Sequence, residues 1–522
     1  MEQSPVAQVL IAGAGPTGLV LALWLIRLGV RVRIIDQTAA AAPYSRALGV
    51  QARTLEFYRQ IGIADAAVAR GVQSKGVNFW VAGTRAAHIP FENLGAGLTP
   101  FPFILDFAQD AHERLLIGHL ETLGVKVERT TELVRFDQQG GFVRATLKRP
   151  DGSEEICEPA YLAGCDGASS IVRETIGAGF PGGTYSHLFY VADVEASGPP
   201  IDNELHVDLD TDDLLVIFPM KGDGRVRLVG TVRDHPARAD HELTFADVSD
   251  RSIKQLKLVI AKVNWFSTYR VHHRVAQNFR KGRAFLLGDA AHIHSPVGGQ
   301  GMNTGIGDAI NLAWKLAAVL DGRASERLLD TYELERIGFA RRLVATTDRI
   351  FTLATKPGFI AEQIRTRLFP LIAPIMLRVP IVRSFMFRTV SQIGLSYRAS
   401  PLSAGVAGTL HGGDRLPWIQ FAAGAYRDAD NFTALTSLAW QVHIYGEPHG
   451  GVAEACAALA LPIHVFPWAA AMEQAGVMRS ATYLIRPDGY IALADPNGDP
   501  ERLRSYFQQL GSAASPPQRT SS

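Results

Sequence analysis

Residues 6–37 read VAQVLIAGAGPTGLVLALWLIRLGVRVRIIDQ. The apolar run Val9–Ala12 gives way to Gly13, Gly15 and Gly18, then to leucines at helical spacing, and the run Val30–Ile35 closes on Asp36. That order is strand, tight turn, helix, strand. Gly13 makes the turn, Gly15 lets the backbone approach a pyrophosphate, and Gly18 brings helix and strand together. The helix N-terminus, with Pro16 and Thr17 in its first turn, faces the negative charge. Asp36, with Gln37 beside it, stands where a carboxylate accepts the ribose hydroxyls of an adenosine, and its charge disfavours a 2′-phosphate. A second match to the glycine pattern, Gly177–Gly182, follows a helical stretch, contains Pro181 and opens no helix, so it reads as a loop.

Far downstream, residues 284–303 read AFLLGDAAHIHSPVGGQGMN. An apolar strand ends in Gly288-Asp289, and a turn carrying Pro296, Gly299 and Gly301 feeds an amphipathic helix with Ile306, Ile310 and Leu316 on one face. FAD is longer than one strand–helix–strand unit holds, so its ribityl chain and ring need a second anchor. Asp289 is the carboxylate for the ribityl hydroxyls. The amides around Gly301, Met302 and Asn303 are expected at the pyrimidine edge, where charge collects on reduction. His292 and His294 lack a third ligand at a convincing spacing, so no metal is expected. No GxSxG, HExxH or P-loop pattern occurs, which leaves the chemistry to the cofactor.

The bulk numbers exclude several classes. The chain has 522 residues, enough for two or three domains, and 52 Lys+Arg against 51 Asp+Glu give no basic field for nucleic acid. Cys157, Cys165 and Cys456 are too few and scattered for a disulfide framework, which favours a reducing, cytoplasmic setting. The N-terminus has no export signal. The apolar stretch Leu368–Val382 is broken by Pro370, Pro374, Arg378 and Pro380, so it reads as a packed helical segment and no membrane span is expected.

Taken together, these segments resemble the class A FAD-dependent aromatic monooxygenases, the single-component hydroxylases of phenols, in their longer subgroup with a thioredoxin-like C-terminal domain. The resemblance rests on Gly13, Gly15 and Gly18 with Asp36; on SRALGVQARTLEFYRQIGI from Ser45; on Gln109 in LDFAQDAHERLL; on AGCDGASSIVRETIG; and on GDAAHIHSPVGGQGMNTGIGDAINLAWKL. It implies an α/β fold: a Rossmann-like FAD-binding domain of the para-hydroxybenzoate-hydroxylase type, an antiparallel-sheet substrate domain and a thioredoxin-like α/β domain. It implies that Arg46 and Gln109 touch FAD, and that Asp166, Gly167 and Arg173 serve both FAD and a transient NADPH or NADH. On residue chemistry alone, Arg46 and Gln109 also read as solvated side chains, and Asp166 with Arg173 as a structural pair. The implied reaction reduces FAD with a nicotinamide, forms a flavin C4a-hydroperoxide with O2 and transfers one oxygen to an aromatic ring in a water-excluding cavity. Pro296 shapes the backbone beside the ring. A flavin-dependent reductase, a halogenase-like enzyme and a catalytically silent FAD-binding protein are the alternatives.

Between the flavin motifs, LFYVADVEASG, NELHVDL, DLLVIFPMKG and RVRLVGTVRD are short alternating runs, the pattern of an antiparallel sheet. Phe189, Val191, Val207, Val216, Phe218 and Pro219 are its candidate substrate-wall residues, and core packing explains each equally well. His206 and Tyr190 are candidates to deprotonate a phenol. The expected organisation is a discontinuous FAD-binding domain (1–75, 105–180 and 275–345), a substrate sheet (76–104 and 181–274), a helical segment (346–400), a thioredoxin-like domain (401–515) and a disordered tail (516–522). The thioredoxin-like region has no CxxC, only Cys456, so packing or homodimer formation is its expected role rather than redox chemistry.

Overall fold

The computed structural model describes residues 7–41, 47–91, 94–209, 214–232, 243–248, 250–294, 299–355, 363–376, 379–421 and 429–511. Arg46, Pro296 and the tail after 511 lie outside the described residues. The strand Val9–Ala12 is fully buried, and the helix Pro16–Arg27 starts directly after Gly15 with Pro16 in its first turn. Proline suits that position because its missing N–H would be unpaired there anyway.

Val9–Ala12 is central in a six-stranded sheet whose order is 280–281, 284–286, 161–164, 9–12, 32–36, 128–129. The strands 284–286, 161–164, 9–12, 32–36 and 128–129 run parallel in succession, and 280–281 closes one edge antiparallel. The helix Gly301–Leu320 packs against Pro16–Arg27, joining the two distant glycine motifs in one core. A three-stranded sheet, 132–139, 142–148 and 154–157, is attached beside them.

The second layer is an eight-stranded sheet in the order 292–293, 259–275, 182–197, 225–232, 215–219, 205–208, 76–81, 84–90. Its pairings are antiparallel except 205–208 with 76–81. Its longest strand, Val259–Val275, carries no clean alternation and does not stand out in the sequence. One face, with Tyr190, Ala192, Leu215, Ile217, Val226 and Leu228, packs under Ile253, Leu256 and Leu258. The other face carries Arg227, which pairs with Asp193 at 2.6 Å and donates to the Ala47 carbonyl of the flavin lobe at 3.1 Å. That face therefore looks toward the nucleotide motifs.

Residues 369–376 and 380–390 are helical as expected, but they are not packed inside: Leu371, Ile375, Ile381 and Phe385 all face solvent. The prolines limit each helix to a few turns, too short to bury all sides of a nearly all-apolar stretch. Beyond residue 400, a sheet in the order 410–411, 404–407, 491–495, 482–485, 441–445, 463–466 is flanked by the helices 452–458 and 500–509.

This lobe is held to the flavin lobe by buried ions. Arg486 donates to both oxygens of Glu335 at 2.7 and 3.0 Å and to Asp488 at 2.6 Å. Lys315 adds a bond to Glu335 at 2.9 Å, Trp314 donates to Asp488 at 3.1 Å, and Arg53 to the Asp488 carbonyl at 2.6 Å. Burial opposes ionisation of Glu335, yet Arg486 and Lys315 hold its carboxyl well below the usual range. Burial lowers Lys315 to about 8 despite the same partner.

Candidate active site

Four neighbouring parallel strands end side by side, and each end carries one of the predicted cofactor residues. The strand 284–286 leads to Gly288-Asp289, 161–164 to Asp166-Gly167, 9–12 to Gly13–Gly15, and 32–36 ends on Asp36. The crevice outside the carboxyl ends of such strands is where open α/β sheets bind ligands.

The glycines there have separate jobs. A Cβ on Gly13, whose φ is +101°, would lie 2.2 Å from the Cys165 carbonyl oxygen, and one on Gly18 would lie 2.0 Å from the Gly13 oxygen. Both positions are closed to any side chain. A Cβ on Gly15 meets nothing within 4 Å, so Gly15 opens onto free space at the start of the helix, as a phosphate-facing residue must. Thr17 is wedged between Gly288 and Gly305 of the late glycine-rich segment: its Oγ1 lies 2.7 Å from where a Gly288 Cβ would be and 2.4 Å from that of Gly305.

Hydrogen bonds brace the rest. Asp36 accepts from the Ala14 amide at 2.8 Å and from the Thr38 amide and hydroxyl, so it fixes the glycine loop as well as facing the crevice. Gln37 beside it is exposed. Arg173, buried, donates to the carbonyls of Ala290 and Ala168 at 3.0 and 2.7 Å, tying the segment after Asp166 to the Gly288–Ala290 turn. Asp166 accepts from the Val172 amide, while its Oδ1 is buried with no hydrogen-bond partner in the protein, and burial pushes its carboxyl up. An orphaned buried oxygen at a strand end is an observation that fits a bound hydroxyl. Gly167 has φ +74°, a conformation that favours glycine.

Asp308 accepts from the Gly288 amide at 3.1 Å, His292 at 2.7 Å and Arg336 at 2.6 Å. His292 is thus a partner of a buried carboxylate, and among the described residues no group of three or more His, Cys, Asp or Glu could hold a metal. Asp289 is exposed at the crevice mouth. Gln109 is half-buried; its side chain donates to Glu113 and its amide to the Ala47 carbonyl. Asn303 uses all its side-chain valences on structure: it accepts from the Gln51 amide and Thr54 hydroxyl and donates to the carbonyls of Gly49 and Gly299. Only its backbone, with those of Gly301 and Met302, remains for a flavin.

The sheet separates the substrate candidates. Val191, Val229, Val216, Val207 and Phe79 are cross-strand partners in one row, on the face that also bears Phe189, Phe218 and Arg227. Pro219 pairs with Val226 and belongs to the opposite, outer face. Tyr190 lies on that outer face too, stacked on Phe266 with centroids 6.2 Å apart. His206 has both ring nitrogens engaged there, Nδ1 by the Trp80 indole at 3.0 Å and Nε2 by Asp202 at 2.8 Å. The expected proton acceptors and Pro219 therefore point away from the flavin side, because a strand sends alternate residues to opposite faces.

A cavity of about 150 Å³ borders the flavin turn instead, lined by Gln51, Phe91, Leu94, Phe103 and Ile104 on one side and by Met386, Phe387 and Val390 on the other. Gln51 lies at its turn-side end, with Nε2 3.8 Å from where a Gly299 Cβ would be. Gly95 lets the Phe387 ring close the wall, since a Cβ there would come within 2.3 Å of it. These walls come from a loop and a late helix whose apolar residues are indistinguishable in sequence from ordinary core.

Residues 6–347 match the family described as FAD binding domain, and the chain belongs to that family. It is 34% identical over 528 residues to the 6-methylpretetramide 4-monooxygenase of Streptomyces rimosus, covering 96% of this chain and 93% of the relative. It is 35% identical over 353 residues to the pentachlorophenol 4-monooxygenase of Sphingobium chlorophenolicum, covering 66% and 64%. The solved structure of the anhydrotetracycline hydroxylase OxyS from Streptomyces rimosus superimposes with a TM-score of 0.76 at 29% identity, over 97% of this chain and 99% of that one. The protein is an FAD-dependent monooxygenase, with the mixed α/β architecture of the class A flavoprotein hydroxylases. Among the described residues no helix is long and apolar enough to cross a membrane.

Proposed function

We propose that the protein hydroxylates a phenolic or polycyclic aromatic substrate, using O2 and NADPH or NADH. The carrying observation is the apolar cavity set against the Gly299–Asn303 turn: its volume is that of a space which admits one benzene-sized ring. The further rings of a polycyclic substrate lie under the valine row of the sheet. The names of the relatives, which refer to tetracycline-type polycycles and a chlorinated phenol, support that class.

Bound FAD supplies reductive activation of O2 and delivery of one oxygen atom. The chain holds it. Gly15 and the first amides of the helix 16–27 would receive the pyrophosphate, Asp36 and Gln37 the adenosine ribose, and Asp166, Gly167 and Asp289 the ribityl end, with Gln109 and Arg173 beside them. The amides of Gly301, Met302 and Asn303 would hold the pyrimidine edge. Phe91, Phe103 and Phe387 exclude water and clamp the substrate ring, and Gln51 hydrogen-bonds its hydroxyl. Among the described lining residues none titrates near neutrality, so orientation rather than a side-chain base is their contribution. The strand order of the C-terminal lobe, 491–495, 482–485, 441–445, 463–466, with the strand 482–485 antiparallel to both neighbours, supports a thioredoxin-like unit that acts by packing.

The test is steady-state NADPH and NADH oxidation with and without a phenol panel, coupled to mass spectrometry. Ring-stimulated oxidation with a product heavier by one oxygen is expected, and Phe387→Trp, which fills the cavity, should raise KM for the ring. A yellow protein that consumes no nicotinamide with any ring would make it a silent or non-oxygenating member of the fold.

A further inference from the structure

Of the eighteen large apolar side chains exposed among the described residues, ten fall between Ile364 and Phe385. The two short helices 369–376 and 380–390 carry seven of them. In 369–376, Leu371, Ile372 and Ile375 are exposed, with Leu371 68% and Ile375 63% accessible. In 380–390, Ile381, Phe385 and Arg388 share a face at helical spacing, with Ile381 78% and Phe385 72% accessible, while Phe387 on the opposite side closes the cavity. The segment is seated rather than dangling: Phe369 meets Phe79 of the sheet edge-on at 5.1 Å. Such a concentration marks an interaction site rather than scattered surface apolarity.

The charges decide what it meets. Among the residues of this patch whose side chains are described, the charged ones are Arg367, Arg383 and Arg388. A second copy of the chain would bring the same patch to a two-fold contact, setting arginines against arginines. An anionic bilayer surface answers both features at once, because apolar side chains enter the headgroup boundary while guanidinium groups pair with lipid phosphates. We propose that the helices 369–376 and 380–390 dock this enzyme peripherally on anionic membrane surfaces, with Leu371, Ile375, Ile381 and Phe385 as the inserted side chains. The helices lie in the interface and span nothing. Docking places the inner face of 380–390, which walls the cavity, directly behind the lipid contact, where apolar aromatic compounds partition.

The test is co-sedimentation of the full-length holoenzyme with phosphatidylcholine vesicles containing about 30% phosphatidylglycerol or none, at low and high salt. Binding to the anionic vesicles that falls with salt is expected, with I381S/F385S lowering the partition at least about tenfold and R367Q/R388Q lowering it selectively on anionic vesicles. An unchanged flavin absorption spectrum and melting midpoint certify that each variant is folded, and the arginine pair provides a second, non-apolar route to the same loss. No sedimentation with either vesicle, or equal binding to neutral ones, overturns the proposal. So does a dimer, seen by analytical ultracentrifugation, that I381S/F385S dissociates while vesicle binding is absent. None of these readouts depends on turnover.

Discussion

Where the first glycine motif meets the third, contact is made through missing atoms: Gly288 and Gly305 leave room for Thr17, and Gly18 for the backbone of Gly13. Where the C-terminal lobe meets the flavin lobe, contact is made through buried ions, Arg486 on Glu335 and Arg415 on Glu56. The first seam presses bare backbone together and leaves Gly15 open at the strand ends, so it can still receive a phosphate. In the second, Glu335 takes bonds from Arg486, Lys315, Asn311 and Ser400, and its valences are spent. A seam of glycines makes a site, whereas a saturated seam of ions fastens two lobes and binds nothing.

The comparison breaks first at Gly13. Gly13→Ala puts a methyl 2.2 Å from the Cys165 oxygen at a φ of +101°, and should cost more than about 4 kcal/mol and yield colourless protein. Urea unfolding and the flavin absorbance of the purified variant check both. Next is Glu335→Ala, which strands Arg486 and Lys315 in the core and should cost about 3–5 kcal/mol by urea midpoint while native protein keeps its flavin. Flavin loss matching that of Gly13→Ala would erase the distinction between the seams.

A buried carboxyl without a cation sharpens the point. Asp106 has the Ser74 hydroxyl as its hydrogen-bond donor, and burial pushes it up to about 7 from 3.8, the reverse of Glu335. Between those two values the unfolded chain is ionised and the folded one protonated, so stability falls as pH rises through that window and stays low above it. Asp106→Asn removes the slope and should gain on the order of 3 kcal/mol above pH 7 relative to the parent, read from urea midpoints at pH 5 and pH 8. Smallest of all, Tyr190→Phe should leave kcat/KM for a ring substrate within about twofold, since the ring packs on the outer face of the sheet.

The flavin half of the molecule was legible because its signals are local. Gly13, Gly15 and Gly18 sit within six residues, and each spacing has one backbone geometry that uses it. Gly288 was legible for the same reason, and the parallel strands then brought it beside Asp166 without further information. The sheet was legible as alternation, but alternation does not say which set faces the cofactor: Val191 and Val207 fall on one side, Tyr190 and His206 on the other. Arg486 opens the hairpin turn Arg486–Tyr490, where Gly489 takes φ +73°. Its burial against Glu335 was invisible because a buried arginine is spelled like an exposed one. Gln51 and Phe387 were hidden likewise, being joined only in three dimensions.

The Arg486–Glu335 contact spans 151 residues, and Arg53 reaches Asp488 across 435. On the ribosome, therefore, the flavin lobe emerges with Glu335, Lys315 and Trp314 unshielded, and it cannot complete its interior until the strand 482–485 and the turn behind it have been synthesised. The interior of the flavin lobe is therefore completed late in synthesis, and nascent chains halted before Arg486 stay open to chaperones and proteases however well their glycine motifs have formed.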